Sequence, residues 1–347
     1  MSSASVSQSD PAAQHALSRL FAGERLPAAE VELLFGELVA GRLDEPSIAG
    51  MLIALKVGGE DEAALTGAAR ALRTASAHFP RPDYRFADTC GTGGDGSGLI
   101  NVSTAVGFVV AAAGLPVVKH GNRSITSRCG SADVLEQLGA RLDVDAEESR
   151  RVLDETGICF LFAPLYHPGL RHAGPVRRAL KTRTIMNLLG PCLNPAHPPV
   201  QLLGVAEERL LEPVALTLAA LGVEDALIVH GAGLDEVALH AETEGVRLRS
   251  GTIARVTLSP EQAGLSRRPL DDLKGGGPEE NAARLTALLR GQGGQAETDM
   301  VALNAGALLM TAGLASNLLE GTAKARDAID SGAAGDRLAR FVEASRG

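Results

Sequence analysis

The segment Asp88-Thr-Cys-Gly-Thr-Gly-Gly-Asp-Gly-Ser-Gly98 decides the fold of this chain. It begins within a strand-like run, residues 86–89, and precedes a helix predicted to begin near Asn101. Glycine has no Cβ, so a backbone this rich in glycine can turn tightly and direct N–H groups at a phosphate. The N-terminus of the next helix adds about half a positive charge. The segment is neither a Walker A loop nor a Rossmann GxGxxG loop, and alone it fits a plain strand-to-helix turn equally well.

The chain around this segment alternates strands with helices. Strand-like runs at residues 86–89, 116–119 and 226–230 accompany helical patterns at residues 103–113 and 131–138. This alternation predicts an α/β domain with a mainly parallel sheet. Ligands bind at the carboxyl ends of the strands in such sheets, so the functional residues are expected in those loops.

Residues 1–82 are predicted to form a smaller, all-helical domain. Apolar residues recur there at three- and four-residue spacing in four segments, at residues 17–21, 31–38, 48–55 and 63–72. Asp61 is predicted to cap the fourth helix, and Phe79-Pro-Arg-Pro82 is predicted to be a stiff linker. Helices near residues 171–189 are expected to join this domain. Residues 83–347 then form the α/β domain, with helices again at residues 278–290, 301–314 and 323–331.

Composition excludes several classes of protein. The 347 residues are 45% hydrophobic and 22% charged, which predicts about two globular domains. A formal charge of −9, with 8 Phe, 2 Tyr and no Trp, argues against a broad nucleic-acid surface. The 4 cysteines form no CxxC pair and are typical of reduced thiols in the cytosol. No secretory signal or membrane span is predicted, so we expect a cytoplasmic protein without membrane contacts.

A second loop is as rich in polar groups as the first. Lys119-His-Gly-Asn-Arg-Ser-Ile-Thr-Ser-Arg-Cys-Gly-Ser131 follows a predicted strand and precedes a helix. Its cations can bind a polyanion, and its hydroxyl groups can donate to the same oxygens. Two loops of this kind at neighbouring strand ends predict a ligand with more than one phosphate.

Four motifs then identify a family. Residues 88–105 (DTCGTGGDGSGLINVSTA) and 119–140 (KHGNRSITSRCGSADVLEQLGA) closely resemble the anthranilate phosphoribosyltransferases, which catalyse the second step of tryptophan biosynthesis. Residues 177–199 (RRALKTRTIMNLLGPCLNPAHPP) and 230–241 (HGAGLDEVALHA) continue the match in the family's order. The resemblance covers residues 15–340. It implies a Mg²⁺-dependent enzyme that transfers the phosphoribosyl group of phosphoribosyl pyrophosphate to the amine of anthranilate, as a homodimer through the helical domain.

The resemblance also implies roles for single residues. The donor site would comprise Gly91, Gly94, Asp95, Asn101, Val102, Ser103, Thr104, Lys119, His120, Gly121, Asn122, Arg123, Ser124, Ile125, Thr126, Ser127 and Ser131. Anthranilate would contact Gly91, Asn122 and Arg177, and two Mg²⁺ ions would involve Ser103, Asp235 and Glu236.

The residue types suit these roles. A guanidinium fork matches a carboxylate, although the adjacent Arg178 could be mistaken for Arg177. Mg²⁺ takes one or two carboxylates together with waters and substrate phosphates, as an Asp235-Glu236 pair would allow. An aromatic amine is largely unprotonated at neutral pH, so the reaction demands no strong base. His120 and His167 are more readily explained by positioning or packing than by base catalysis.

Five positions depart from the family's pattern, and two other classes remain to be weighed. Leu99 stands where a Thr or Ser is common, so a donor contact is expected to be lost, and the other four departures are Gly169, Lys181, Met186 and Cys192.

Two other classes of protein are alternatives. A non-catalytic, nucleic-acid-binding relative would carry a basic groove. A pyrimidine nucleoside phosphorylase shares the architecture but lacks the paired GTGGD and KHGNRS motifs. Closure of the two domains over the donor is also expected.

Overall fold

The computed structural model describes residues 10–124 and 128–347. The chain begins with four helices, α1 (Pro11–Phe21), α2 (Ala28–Val39), α3 (Glu45–Gly58) and α4 (Glu62–Thr74). Aspartates at positions 10, 44 and 61 precede three of them, and each carboxylate accepts a hydrogen bond from a free N–H of the first turn. The predicted cap at Asp61 is therefore confirmed, with Ala64 N donating at 3.0 Å.

A seven-stranded sheet follows, in the order β3-β2-β1-β4-β5-β6-β7. The strands are β1 (Ala87–Gly91), β2 (Val117–Gly121), β3 (Ile158–Phe162), β4 (Val200–Gly204), β5 (Asp225–His230), β6 (Thr243–Arg249) and β7 (Thr252–Leu258). Strands β1 to β5 pair in parallel, whereas β6 and β7 add an antiparallel hairpin at one edge. The chain thus has a helical N-terminal domain and a larger α/β domain with a mostly parallel sheet, as its sequence predicts.

Helices connect and cover the strands. They are α5 (Val102–Ala112), α6 (Ser131–Gln137), α7 (Ala146–Thr156), α8 (Ala163–Tyr166), α9 (Gly174–Leu180), α10 (Met186–Leu189), α11 (Leu211–Ala220), α12 (Pro278–Leu289), α13 (Gln295–Thr311), α14 (Leu318–Asp330) and α15 (Ala333–Ala344). The predicted helix at residues 103–113 is confirmed as α5. The predicted helical stretch at residues 171–189 is broken, because Lys181 adopts a left-handed conformation between α9 and α10.

Each face of the sheet carries its own hydrophobic core. One face packs against α5 and α13, with α15 packed on α5, and Phe108, Met300 and Phe341 of these helices are fully buried or nearly so. The other face packs against α11, and its core continues into the helical bundle through residues such as Leu34 and Leu72. Burial of each such side chain contributes about 1.5–3 kcal/mol. The helical domain is therefore attached to the sheet by apolar contact rather than by a linker alone.

Buried polar contacts reinforce this attachment. Arg73 of α4 donates from Nε to Cys192 O at 2.7 Å and from Nη1 to Leu221 O at 3.2 Å. Thr66 of the same helix bonds Thr217 of α11 at 3.3 Å.

Three further observations bear on the sequence predictions. Strands β3 and β4 and the β6–β7 hairpin were not predicted individually, although Ile158–Phe162 is an uninterrupted apolar run. All four cysteines are buried and lie outside disulfide bonds. None of the helices in the described ranges is long and apolar enough to cross a bilayer.

Candidate active site

The glycine-rich segment leaves the carboxyl end of β1 against the Asp235 loop. Gly91 pairs with Gly204 at the end of β4, and a Cβ at either position would collide with Asp235. Gly93 and Gly94 have φ values of 68° and 75°, a region that favours glycine. Gly93 N donates to Asp235 Oδ2 at 2.6 Å. The glycines are needed here because the backbone approaches a carboxylate closely.

Three carboxylates gather at this point. Burial, the charge of Asp95 and a hydrogen bond to it raise the pKa of Asp235 to about 7. Burial and the charge of Asp235 raise the pKa of Glu236 well above its usual range, and the nearby Lys119 opposes that rise. The group therefore holds more negative charge than the neighbouring side chains balance, and a cation would stabilise it.

This set of oxygen ligands fits Mg²⁺. Within residues 10–124 and 128–347, no group of three or more His, Cys, Asp or Glu side chains forms a complete metal-binding cluster. Mg²⁺ does not need such a cluster, because it usually keeps several waters and takes one or two carboxylates along with substrate phosphates. Asp235 and Glu236 would supply those carboxylates.

Lys119 places a buried ammonium group next to the start of α5. Its Nζ donates to Thr89 O at 2.6 Å and to Ser103 Oγ at 3.2 Å. Ser103 lies in the first turn of α5, which begins after Asn101. Val102 and Thr104 of the same turn have buried side chains. The geometry brings a cation, a hydroxyl group and a helix N-terminus together, which is the chemistry that an anionic ligand requires.

The loop after β2 folds around Asp133. Ser124 N and Gly130 N both donate to Asp133 Oδ2, at 2.9 and 2.7 Å. Gly121 ends the strand where a Cβ would collide with Ser131 Oγ, so these two expected donor residues are in close contact.

Side chains in this second loop are placed unevenly. Arg123 pairs with Glu136 at 2.6 Å and lies over the ring of Phe162, which turns its guanidinium group away from β1. Asn122 Oδ1 accepts from Arg123 N at 2.8 Å, so the Asn122 side chain stays at its own turn. Ile125, Thr126 and Ser127 lie outside the described residues.

Arg177 differs from Arg178 in its surroundings. It is half-buried on α9, and burial lowers its pKa, whereas Arg178 is exposed. In the described parts of the chain, no carboxylate or carbonyl bonds the Arg177 guanidinium group. A desolvated cation without a protein partner is suited to receive the carboxylate of a ligand.

The histidines of the KHG and YHPG motifs form a buried pair instead of an open catalytic group. The rings of His120 and His167 meet edge to face with centroids 5.2 Å apart, and His167 Nε2 lies 3.1 Å from Leu193 O. Burial lowers the pKa of His120 to about 3 and that of His167 to about 4. Both rings are therefore neutral and weakly basic near neutral pH.

Arg183, a residue of the 177–199 motif with no role predicted from the sequence, makes a contact in the site. Its Nη1 and Nη2 donate to the carbonyls of Gly94 and Gly93 at 3.2 and 3.3 Å. Because one guanidinium group bonds two successive carbonyls, it restrains the backbone between Gly93 and Gly94 and so stabilises the conformation of the glycine-rich loop. The Arg-Thr pair of the 177–199 motif was the available signal, but a side chain that binds backbone leaves no pattern in a sequence.

The departures from the family's pattern have local explanations. A Cβ at Gly169 would come within 2.8 Å of Val39 Cβ, so the loop after α8 packs directly on α2. Lys181 has φ of 47°, the conformation that explains a common glycine at this position. Met186 and Cys192 are buried core residues. The backbone of Leu99 forms an antiparallel bridge with Lys274.

Comparison with known proteins agrees with this geometry. A family described as a glycosyl transferase a/b domain matches residues 83–335, and the helical bundle domain of the glycosyl transferase family matches residues 14–76. Both parts of the chain therefore define a glycosyl transferase.

Closer relatives specify the kind of transferase. The chain is 57% identical over 330 residues to the anthranilate phosphoribosyltransferase of Sorangium cellulosum (strain So ce56), covering 95% of each chain. The crystal structure of anthranilate phosphoribosyltransferase from Thermus thermophilus superposes with a TM-score of 0.91 at 42% identity, covering 96% of this chain and 99% of that one. The Saccharomyces cerevisiae enzyme in complex with PRPP and Mg gives 0.88 at 27% identity, covering 97% and 99%. This chain belongs to the anthranilate phosphoribosyltransferase family.

Proposed function

We propose that this chain transfers the phosphoribosyl group of phosphoribosyl pyrophosphate to the amine of anthranilate, giving N-(5-phosphoribosyl)anthranilate and pyrophosphate. The observation that supports it most is the meeting of two loops from adjacent strands with Lys119, Asp235 and Glu236 at one edge of the sheet. The other classes lack support. The charge of −9 and the intact KHGNRS motif disfavour a nucleic-acid-binding relative, and the relatives found are transferases.

The donor would lie between the glycine-rich loop and the start of α5. Loop N–H groups, Lys119 and the helix N-terminus would bind its phosphates, with Asp95 near the ribose and pyrophosphate. We infer that two Mg²⁺ ions assist, one near Ser103 and the other near Asp235 and Glu236. When bound, Mg²⁺ neutralises the charge that develops on the departing pyrophosphate.

The reaction requires little covalent work from the protein. The bond between ribose C1 and the pyrophosphate oxygen breaks, and positive charge spreads over C1 and the ring oxygen, as in glycoside cleavage. The amine nitrogen then forms the new bond to C1 and releases one proton afterwards. Lys119 would stabilise the leaving group, and Arg177 and Asn122 would orient anthranilate so that its nitrogen faces C1. Because His120 and His167 are buried and neutral, the proton leaves to solvent or to pyrophosphate.

We also infer a cytoplasmic homodimer that forms through the helical domain. Phe21 at the end of α1 is 52% exposed and Val57 of α3 is 82% exposed, so two neighbouring helices of this domain present large apolar side chains to solvent. Analytical ultracentrifugation tests this arrangement. Phe21→Glu together with Val57→Glu should give monomers, and Leu314→Glu, at a 41% exposed position in the α/β domain, is the matched control.

The direct test of the activity is the loss of anthranilate fluorescence. Purified protein is mixed with anthranilate, phosphoribosyl pyrophosphate and Mg²⁺, and a parallel sample contains EDTA. Metal-dependent loss is expected. Folded protein that leaves the fluorescence unchanged, but cleaves thymidine or uridine with phosphate, would overturn the proposal.

A further inference from the structure

A buried asparagine on α12, Asn281, contacts a residue of the proposed donor site, Asn101. Asn281 is 3% exposed, although it carries a polar amide. Its Oδ1 accepts from Gly276 N at 2.8 Å, and its Nδ2 donates to Asn101 Oδ1 at 3.0 Å. A buried amide must be hydrogen-bonded to be tolerated, and here each of its two ends is bonded to a different part of the site's framework.

The first of these parts is the segment after β7 that supports the glycine-rich loop. Gly275 N donates to Gly98 O at 2.8 Å, and Ile100 N donates to Leu273 O at 3.1 Å. Two backbone hydrogen bonds thereby join the C-terminal end of the glycine-rich loop to residues 273–276, the segment that Asn281 bonds. A Cβ at Gly275 would collide with Leu99 O and with Asn281 Oδ1, so these three residues are too closely packed for a larger residue at position 275.

The second part is the loop after β2. The amide of Asn101, bonded at one end to Asn281, donates at its other end from Nδ2 to Cys129 O at 3.2 Å. A single chain of amides therefore runs from Gly276 through Asn281 and Asn101 to Cys129. It connects the two loops on which the proposed donor site depends.

This chain changes what Asn101 does. Asn101 occupies the N-cap position of α5, where an asparagine side chain normally accepts from the first turn, yet its side chain makes no capping bond. The Asn101 side chain bonds Asn281 and Cys129 O instead of the first turn of α5. The first turn of α5 is therefore bonded by other groups: Val102 N and Thr104 N donate to the carbonyls of Ile100 and Asn101, at 2.7 and 3.1 Å, and the backbone of Ser103 bonds the Glu236 carboxylate.

We propose that Asn281 is a positioning residue for the phosphoribosyl donor, acting on the glycine-rich loop through Gly276 and on the loop after β2 through Asn101. The inference rests on the proposed function and adds to it a residue that contacts neither substrate. Asn281 sets the distance between the loops before the donor binds, so its loss should weaken donor binding selectively.

The test measures KM for both substrates. Asn281→Ala, and Asn281→Ser as the milder variant, should raise the donor KM about tenfold, since a buried partner is left unsatisfied, and should change the anthranilate KM less than about twofold. Thr156→Val is the matched control. Its hydroxyl is also buried and bonds Val152 O and Ile158 O at 2.8 Å each, but it lies at the amino end of β3, away from the loops. The control should lower the melting temperature and leave both KM values unchanged.

A double-mutant cycle separates positioning from general stability. Because Asn281 reaches the loop after β2 through Asn101, Asn281→Ala should raise the donor KM less in an Asn101→Ala background than in the wild type. Additive effects, or a lowered melting temperature with an unchanged donor KM, would overturn the proposal.

Hydrogen exchange of the ligand-free protein gives a readout that does not depend on turnover. Asn281→Ala should speed exchange in both residues 96–104 and 128–131, and acceleration in only one of them would also overturn the inference. A wild-type chain that exchanges as expected but shows no turnover would contradict the proposed function instead.

Discussion

The donor end and the acceptor end of the site are built in opposite ways. At the donor end, Lys119, Arg183, Asn101 and Asp235 already bond the backbone or one another. At the acceptor end, Arg177 is half-buried and has no bonded partner in the part of the chain that the structure describes. The donor end is thus organised before any substrate arrives, whereas the acceptor end leaves a desolvated charge for the substrate to satisfy. Mutations should therefore affect the two ends differently.

The largest effect is expected at the carboxylates. Asp235→Asn with Glu236→Gln keeps the shapes, and an amide oxygen can still accept from Gly93 N, but the negative charge is lost. Turnover should fall about a hundredfold or more, with a higher Mg²⁺ requirement, because a bound metal contributes several kcal/mol to charge stabilisation.

A Mg²⁺ titration of the rate measures this effect. Asp271→Asn with Asp272→Asn, an exposed acidic pair outside the site, is the control. An unchanged Mg²⁺ optimum in the Asp235 and Glu236 variant would remove those residues from the metal site.

Arg177→Ala should have the next largest effect, and only at the acceptor end. We expect the anthranilate KM to rise about thirtyfold, the effect of losing a charge-assisted hydrogen bond, with a much smaller change in the donor KM. Arg178→Ala, at the exposed neighbouring position, is the matched control in the same steady-state assay. Equal changes in both KM values would show that Arg177 does not distinguish the two ends.

Arg183→Lys tests whether the donor end is organised by geometry rather than by charge. Lysine keeps the charge but lacks the planar guanidinium fork that reaches Gly94 O and Gly93 O from two separate nitrogens. The donor KM should rise about fivefold, while Arg183→Ala should raise it further. If the lysine variant behaves as the wild type does, charge alone explains the role of Arg183.

The buried histidines predict a small effect that appears in stability rather than in catalysis. Their pKa values, about 3 for His120 and about 4 for His167, lie below that of an unfolded histidine. Between roughly pH 6.5 and 4 the unfolded chain binds more protons, so the free energy of unfolding should fall on acidification by about 1.4 kcal/mol per pH unit per histidine.

Urea denaturation at several pH values in that window measures this slope. His120→Asn should reduce it by about one proton. His15→Asn, at an exposed position, should leave it unchanged. A loss of turnover with an altered pH–rate profile in the His120 variant, and no change in the stability slope, would mean that the ring acts on the substrate.

Much of the fold could be predicted from local pattern. Apolar periodicity and the Asp61 cap predicted the N-terminal helices, and the glycine-rich turn predicted the strand-to-helix unit around Gly91. Local sequence pattern predicted secondary structure less well where tertiary packing determines it. Lys181 interrupts the helical stretch at 171–189 with a left-handed residue, and β6 and β7 gain their pairing only from contacts across the sheet.

The candidate site likewise contains residues that could be identified from sequence and residues that only the structure revealed. The KHGNRS loop could be identified from sequence because its chemistry is visible in the residues themselves, whereas the role of the Asp235-Glu236 pair was implied only by the resemblance to the family. Arg183 and Asn281 could not, since both work by bonding backbone groups or side chains far away in the chain. Asn281 and Asn101 are 180 positions apart.

The sequence by itself determined the family and the two kinds of domain, and its resemblance to that family predicted which residues would bind phosphates, Mg²⁺ and a carboxylate. Only the tertiary structure decided that Arg177, and not Arg178, is the desolvated arginine, that His120 and His167 are buried together, and that Asn281 supports the donor loops. The physical reason is that burial and long-range hydrogen bonds depend on which parts of the chain meet, and nothing within one motif carries that information.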